Sequence, residues 1–404
     1  MKKWISLLLV VCVIFTICIS VCDSKECVKV SKSYIYAPSA DILEIQSKSA
    51  CLMEPTTGKI LFEKNADEKL RPASVTKIMT LLLSFEAIEQ GSLKYDDVVT
   101  VSEHAASMGG SQCFFEAGEQ QTVEDMIKCI EISSGNDAAV AMAEHIAGSE
   151  PAFVAMMNAK AKELGMENTN FENACGLEAD NHLTTARDIA IMSRELLTKH
   201  PEVLTYSTIW MDRIYHKTSK GESEFDLANT NKFLKQYNGA VGLKTGYTSQ
   251  AKYCMSACAK RNDVLLIAVI MGADTKELRN SEAGKLLDLG FSKCHMYEDE
   301  ELCTMSLAAP VIDGTNSSVA CEIKDNSNSF VIDCNPQELE RTIKFYEDLH
   351  APIREGDIVG KVQYKYSNEV VYELPLYASV KIEKMSYKHC VKSIFRGLFM
   401  MTRK

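Results

Sequence analysis

Positive charge is in short supply. The chain's 404 residues carry 44 Lys and Arg against 55 Asp and Glu, a net charge of -11. A general nucleic-acid binder needs a basic face to meet phosphates, so that class is excluded. No His-Glu-x-x-His occurs among the eight histidines, and a metal-dependent peptidase is therefore unsupported. No metal and no cofactor is expected. The 15 cysteines include no Cys-x-x-Cys pair; Cys254 and Cys258 stand alone, four apart. A chain this long needs no disulfide scaffold. The scattered cysteines imply either free buried thiols or an export setting without strong oxidation, and the sequence leaves both open. Internal repeats and long low-complexity segments are absent. Acidic residues vanish from Lys384 to Lys404, so a basic tail opposes an acidic body.

What is present is an ordinary globular balance, 46% hydrophobic and 25% charged. That suffices for a sizeable core and for two or three domains. The N-terminus pairs Lys2 and Lys3 with the apolar run Trp4 to Val21, closed by Asp23, Ser24 and Lys25. Residues 1–22 read as a signal peptide, with a membrane span as the alternative near its lower length limit. An exported protein follows, at the outer face of the cytoplasmic membrane or in the cell wall.

Hydrophobic periodicity divides the rest. Ser49–Met53 and Lys59–Phe62 read as strands around the turn residues Glu54-Pro-Thr-Thr-Gly58. Ile78–Ala87 has helical spacing. Val123–Ala147 is helical with a break at Ser133-Ser-Gly-Asn136, and Ala152–Leu164 and Ala186–Leu197 follow as helices. Tyr253–Ala259 and Val264–Met271 return to strand character. Helices between terminal strands predict an α/β (α+β) domain over 40–290, with helices packed on an antiparallel sheet. Over 295–383 the alternations Val319–Ile323, Ser329–Ile332, Thr342–Tyr346, Ile358–Tyr366, Val370–Leu374 and Ala378–Ile382 predict a second, small all-β domain. Residues 385–404 form an amphipathic helix with Val391, Ile394, Phe395 and Leu398 on one face and Lys388, Lys392, Arg396 and Arg403 on the other. Such a helix suits an anionic membrane surface; packing on the β domain is the alternative.

Three short motifs carry chemistry. Ser74-Val-Thr-Lys77 follows Pro72 at a helix start, which puts both side chains on one face. Serine is a weak nucleophile and needs a base in reach, and a lysine with a lowered pKa can be that base. Ser249-Gln-Ala-Lys252 repeats the spacing outside any helical run and is read as a chance match. Ser134-Gly135-Asn136 sits in the helix break, where a hydroxyl can relay a proton and an amide can hold a substrate backbone. Lys244-Thr245-Gly246 lies at a strand, where a cation and a hydroxyl can grip a carboxylate and the glycine permits close backbone approach.

In that order and those contexts the motifs resemble the penicilloyl-serine enzymes, the penicillin-binding proteins and serine β-lactamases. More narrowly, the chain looks like a low-molecular-mass D-Ala-D-Ala carboxypeptidase of the kind that carries a C-terminal β domain and a membrane-binding tail. Met108-Gly-Gly-Ser-Gln112 with Glu116, Gly118 and Glu119 supports this. So do Gly176-Leu177 with His182-Leu-Thr-Thr-Ala-Arg-Asp188, and Val241-Gly-Leu-Lys-Thr-Gly-Tyr-Thr248. The resemblance is dense from about Ser49 to Ala273 and architectural beyond.

The resemblance implies the penicilloyl-serine transferase fold and a set of roles. Ser74 attacks the penultimate D-Ala carbonyl of a peptidoglycan pentapeptide stem, and Lys77 takes its proton. Ser134 passes a proton to the leaving D-Ala, and Asn136 holds Lys77 or the substrate. Lys244 and Thr245 recognise the terminal carboxylate, Gly246 allows close approach, and the N–H groups of Ser74 and Tyr247 form the oxyanion hole. β-Lactam antibiotics would acylate Ser74 and leave slowly. His182 lies in a family stretch but reads more naturally as structural. Some relatives carry His after Lys-Thr-Gly and Arg near Asn229-Thr-Asn231; here Tyr247 and Thr230 stand instead, which touches substrate preference more than mechanism.

Three alternatives stay open. A β-lactamase would share the motifs, but no Glu-x-x-x-Asn suited to fast deacylation is found and the β domain does not suit it. A peptidoglycan endopeptidase would use the same machinery on another leaving group. A cell-wall binding protein would be expected to have lost Ser74 or Lys77.

Overall fold

The computed structural model describes residues 28–29, 43–218, 221–324 and 329–387. The predicted signal segment 1–22 lies outside the described residues, as does the predicted tail helix beyond Tyr387. Among the described residues no helix is long and apolar enough to cross a membrane. The chain divides into two compact units, one of Ala37–Tyr297 with Val331–Asp333, the other of Met1–Tyr36, Glu298–Phe330 and Cys334–Lys404.

The first unit is built on a five-stranded antiparallel sheet. Its strands are β1 (Ser49–Glu54), β2 (Lys59–Lys64), β3 (Ala240–Thr248), β4 (Lys252–Arg261) and β5 (Val264–Ala273), in the spatial order β2-β1-β5-β4-β3. Strand period sorts side chains to opposite faces. Cys51 and Met53 of β1, with Ile267, Val269 and Met271 of β5, join the core under the helices. Ala50 and Leu52, with Leu266, Ala268 and Ile270, join a second core on the other face. Both faces are covered, which is why β5 reads as a continuous apolar run instead of alternating.

The larger core is shared by α1 (Lys77–Glu89), α2 (Val123–Glu131), α3 (Asn136–Ala147), α4 (Glu150–Glu163) and α5 (Ala186–Lys199). The smaller core lies under α6 (Lys276–Lys293). Starts are set locally: Thr122, Ser149, Thr185 and Thr275 each accept an N–H of the first helical turn.

Sequence patterning did not anticipate α6, whose polar residues dilute its apolar face, nor the hairpin of Met211–Thr218 and Gly221–Ala228. The second Ser-x-x-Lys, Ser249 to Lys252, forms the turn between β3 and β4.

The second unit contains a six-stranded antiparallel sheet ordered Val28–Lys29, Glu340–Phe345, Ile358–Tyr366, Glu369–Ala378, Ser318–Glu322, Leu307–Pro310. The expected strand Ala378–Ile382 is not formed. The preceding strand ends at Ala378, and Ile382 makes only an isolated bridge to Ile353. Inside this unit Arg341 is buried, its Nη1 donating to both oxygens of Asp299 at 2.7 Å, and Tyr364 Oη donates to the same carboxylate at 2.7 Å. A buried ion pair survives only when its remaining polar atoms are satisfied, and the tyrosine supplies part of that. All cysteines among the described residues are free, and most are buried.

Candidate active site

Ser74 sits in a 3-10 turn, Ala73–Thr76, that runs directly into α1. Lys77 opens α1 one turn later, fully buried, with Nζ 3.0 Å from Ser74 Oγ. Its other neighbours are Asn136 Oδ1 at 2.6 Å and the Cys175 carbonyl at 2.7 Å. Asn136 donates from Nδ2 to the Gly109 carbonyl at 2.7 Å, which fixes the amide so that Oδ1 faces the lysine.

Burial pushes the Lys77 amine down to about 7, and the Lys244 charge pushes the same way. A neutral amine has two N–H groups and one lone pair. Asn136 Oδ1 and the Cys175 carbonyl can only accept, so they take the two N–H groups. The lone pair is then left facing the Ser74 hydroxyl. The geometry thus orients the neutral Lys77 amine so that it could act as a base.

Ser134 adopts a left-handed backbone, φ 60°, in the break between α2 and α3. A non-glycine residue there is strained, and such strain clusters at functional sites. Its Oγ is buried without a hydrogen-bond partner among the described residues. Gly135 gives α3 its start, and Asp137 behind it accepts from the backbone N–H groups of Cys113 and Phe115. The Asn136 N–H also donates to the Ser111 carbonyl at 2.7 Å, which ties the Met108–Gln112 loop to the second motif.

The edge strand β3 closes the site. A Cβ on Gly246 would lie 2.9 Å from the Pro72 carbonyl and 3.0 Å from Ser74 N, so only glycine lets the strand come this close to the Ser74 backbone. Lys244, two residues earlier, points to the same face and lies beneath the cleft, 1% exposed, toward Glu131. Burial pushes Glu131 up and Lys244 down, and each charge offsets part of the other's shift. Thr245 and Tyr247 point the other way and line the cleft. Tyr247 packs on Tyr253 with ring centroids 4.4 Å apart. The cleft is therefore bounded by Ser74, Ser111, Ser134, Thr245, Gly246 and Tyr247, with Thr230, Tyr253, Lys276 and Arg279 at its cationic end.

Arg279 was not anticipated from sequence. It sits on α6, 3% exposed, its guanidinium held by Asn280 Oδ1 at 2.9–3.0 Å and set against the Tyr253 ring. Among the described residues it has no carboxylate partner in an ion pair. Burial lowers its pKa to about 10, so it stays charged near neutrality. The cation absent from Asn229-Thr-Asn231 thus arrives from α6, beside Thr245 and Thr230, whose hydroxyls are 3.4 Å apart. No local pattern around Arg279 signals this, because its proximity to β3 arises from packing.

His182 stands behind the Ser74 turn, bonded to Thr76. Its Nδ1 accepts the Glu172 N–H at 3.0 Å, so Nε2 carries the proton and donates to Thr76 Oγ1 at 2.8 Å. Burial lowers its pKa to about 4, which keeps it neutral. It positions the Ser74 turn and does not enter the cleft. Gly176 lies in the same layer, and a Cβ there would meet the Ala73 carbonyl at 1.9 Å.

A family model described as D-alanyl-D-alanine carboxypeptidase matches residues 35–275, and one described as penicillin-binding protein 5, C-terminal domain, matches 291–384. The chain belongs to the D-alanyl-D-alanine carboxypeptidase family of serine peptidases. It is 42% identical over 346 residues to D-alanyl-D-alanine carboxypeptidase DacF of Bacillus subtilis, covering 85% of this chain and 87% of that one. It is 32% identical to DacC of Escherichia coli strain K12, covering 87% and 90%. Penicillin binding protein 5 from Haemophilus influenzae superposes with a TM-score of 0.68 at 30% identity, covering 86% of this chain and all of that one. The family's α+β fold with an appended all-β domain is the architecture described above.

Proposed function

We propose that the chain is a serine D-Ala-D-Ala carboxypeptidase that removes the terminal D-Ala from peptidoglycan pentapeptide stems. One observation carries this reading: a neutral-capable lysine with its lone pair toward Ser74, in a cleft that ends in cations suited to a carboxylate. Ser74 Oγ forms an ester with the penultimate D-Ala carbonyl as Lys77 takes its proton. The N–H groups of Ser74 and Tyr247 receive the oxyanion. The C–N bond breaks, Ser134 hands a proton to the departing amine, and water hydrolyses the ester. Asn136 holds Lys77. Thr245 and Arg279 hold the terminal carboxylate, while Lys244 acts from below through its field. β-Lactam antibiotics enter the same cleft as substrate mimics.

The carboxylate end gives the test. A pentapeptide with a free C-terminus should lose D-Ala, and its C-terminal amide should react far more slowly. Arg279→Ala should lower kcat/KM on the free acid by about 10- to 100-fold, with little effect on the amide. Equal losses on both substrates would assign Arg279 a structural role only.

We further propose that the protein is exported and held at the outer face of the cytoplasmic membrane by residues 385–404. The support is the basic amphipathic pattern and the acid-free tail. Deleting Tyr387–Lys404 should move the protein from the membrane to the soluble fraction with activity kept. Retention at the membrane would make the N-terminal segment the anchor.

A further inference from the structure

Beneath the cleft lies a carboxylate that the three motifs do not account for. Side chains of β3 alternate, so Lys244 shares the lower face with its cross-strand neighbour Ser256 and with Cys254 and Cys258 of β4. Cys254 and Cys258 belong to the larger apolar core, and Lys244 enters that core from above. Glu131, the last residue of α2, approaches it from the helix side, 2% exposed, between the core residues Ile130 and Ile132. Both of its carboxylate oxygens are buried, and among the described residues neither has a hydrogen-bond partner. The Thr230 N–H donates to the Ile132 carbonyl at 3.0 Å, which fixes this end of α2 to the segment that bounds the cleft beside Thr245.

A carboxylate without hydrogen bonds is costly to bury, and only an opposite charge offsets that cost. Helix α2 offers none. Its Lys128 turns outward to Asp212 at 3.4 Å. The short helix Val203–Ser207 packs on both α2 and β3, but its Tyr206 faces Tyr95, Glu124 and Glu202. From β4 the Cys258 thiol faces Glu131, and it brings no positive charge. Lys77 is the other cation near Lys244, and the two repel. Glu131 is left with Lys244, and Lys244 with Glu131. An ammonium alone in such a core sheds its proton, whereas a carboxylate opposite holds it.

We propose that Glu131 is a positioning residue for the carboxylate end of the cleft: it acts through Lys244, keeping that ammonium charged so that its field draws in the substrate's terminal carboxylate. This rests on the carboxypeptidase reading of the cleft. Burial holds Lys244 at about 8, and Glu131 works against a deeper fall. Without that carboxylate the value drops by about one further unit, the effect of a close opposite charge. Lys244 then turns neutral between about pH 7 and 8, where wild type still carries charge.

The test follows kcat/KM on the full chain from pH 5 to 9, for a pentapeptide with a free C-terminus and for its C-terminal amide. Glu131→Gln and Glu131→Met each remove the charge and keep the side chain's length, and thermal melting checks that they fold. On the free acid the wild-type rate should rise through about 7 and fall above about 8. In both variants the falling limb should move down by about one pH unit, a loss of about fivefold at pH 8, with agreement within about twofold at pH 6. On the amide, which carries no charge there, variants and wild type should agree within about twofold throughout. In a Lys244→Met background, Glu131→Gln should move neither limb. Equal losses on both substrates, or an unmoved falling limb, would overturn the role of Glu131 and leave the carboxypeptidase reading standing. So would loss of cooperative melting in both variants, which would assign the carboxylate to the fold. A wild-type chain that cleaves neither substrate would overturn both.

Discussion

Ser74→Ala is expected to abolish penicillin acylation and to lower peptide turnover by at least about 10⁴-fold. The nucleophile cannot be replaced by a neighbour. Ser134 Oγ is buried in a left-handed turn, and Ser111, the other serine lining the cleft, has no lysine bonded to it among the described residues. The substitution itself is mild. Ser74 opens onto the cleft, and its neighbours Ala73, Val75 and Thr76 hold the turn from the buried side. The variant should therefore melt near wild type, and mass spectrometry after brief exposure to penicillin reads the effect directly. Wild type should gain a stable adduct on Ser74 and the variant none. An adduct retained on the folded variant would place the nucleophile elsewhere, and rapid loss from wild type would favour a β-lactamase.

The second large effect concerns Lys77 and pH. Only the neutral amine can accept the serine proton. Burial places its pKa at about 7, and a base acts in its deprotonated form, so acylation should rise with pH through about 7 and level above it. At pH 5 the rate should be on the order of 1% of the plateau. Lys77→Arg keeps the charge but stays protonated at any working pH, and should cost at least about 10³-fold. Lys244→Met separates this account from a purely steric one. Removing the cation that helps depress Lys77 should move the pH midpoint upward. A pH-flat acylation rate between 5 and 8 in wild type would remove Lys77 as the base.

Much of this site can be read along the chain because its key pairs are local. Ser74 and Lys77 meet through one helical turn, and Ser134 and Asn136 through one break; Thr245 and Gly246 alternate on one strand. Helix and strand periods are set by backbone geometry, so spacing alone brings these groups together. Arg279 illustrates the opposite case. It stands 35 positions after Lys244 on a helix whose apolar stripe is diluted, and nothing around it marks a site. The Asp299, Arg341 and Tyr364 cluster was likewise invisible, since charged residues in polar-rich segments normally face water.

By itself the sequence determined the α+β plan, the appended β domain and the order of three motifs, and it singled out Ser74 as the nucleophile proposed above. These depend on side-chain periodicity and on residues close in the chain. The tertiary structure alone decided which groups surround Lys77, that Lys244 lies under the cleft while Thr245 lines it, and that α6 supplies Arg279. Those outcomes depend on how far a lysine is removed from water and on which element packs against which edge. Burial and packing are properties of the whole fold, and no window of sequence contains them.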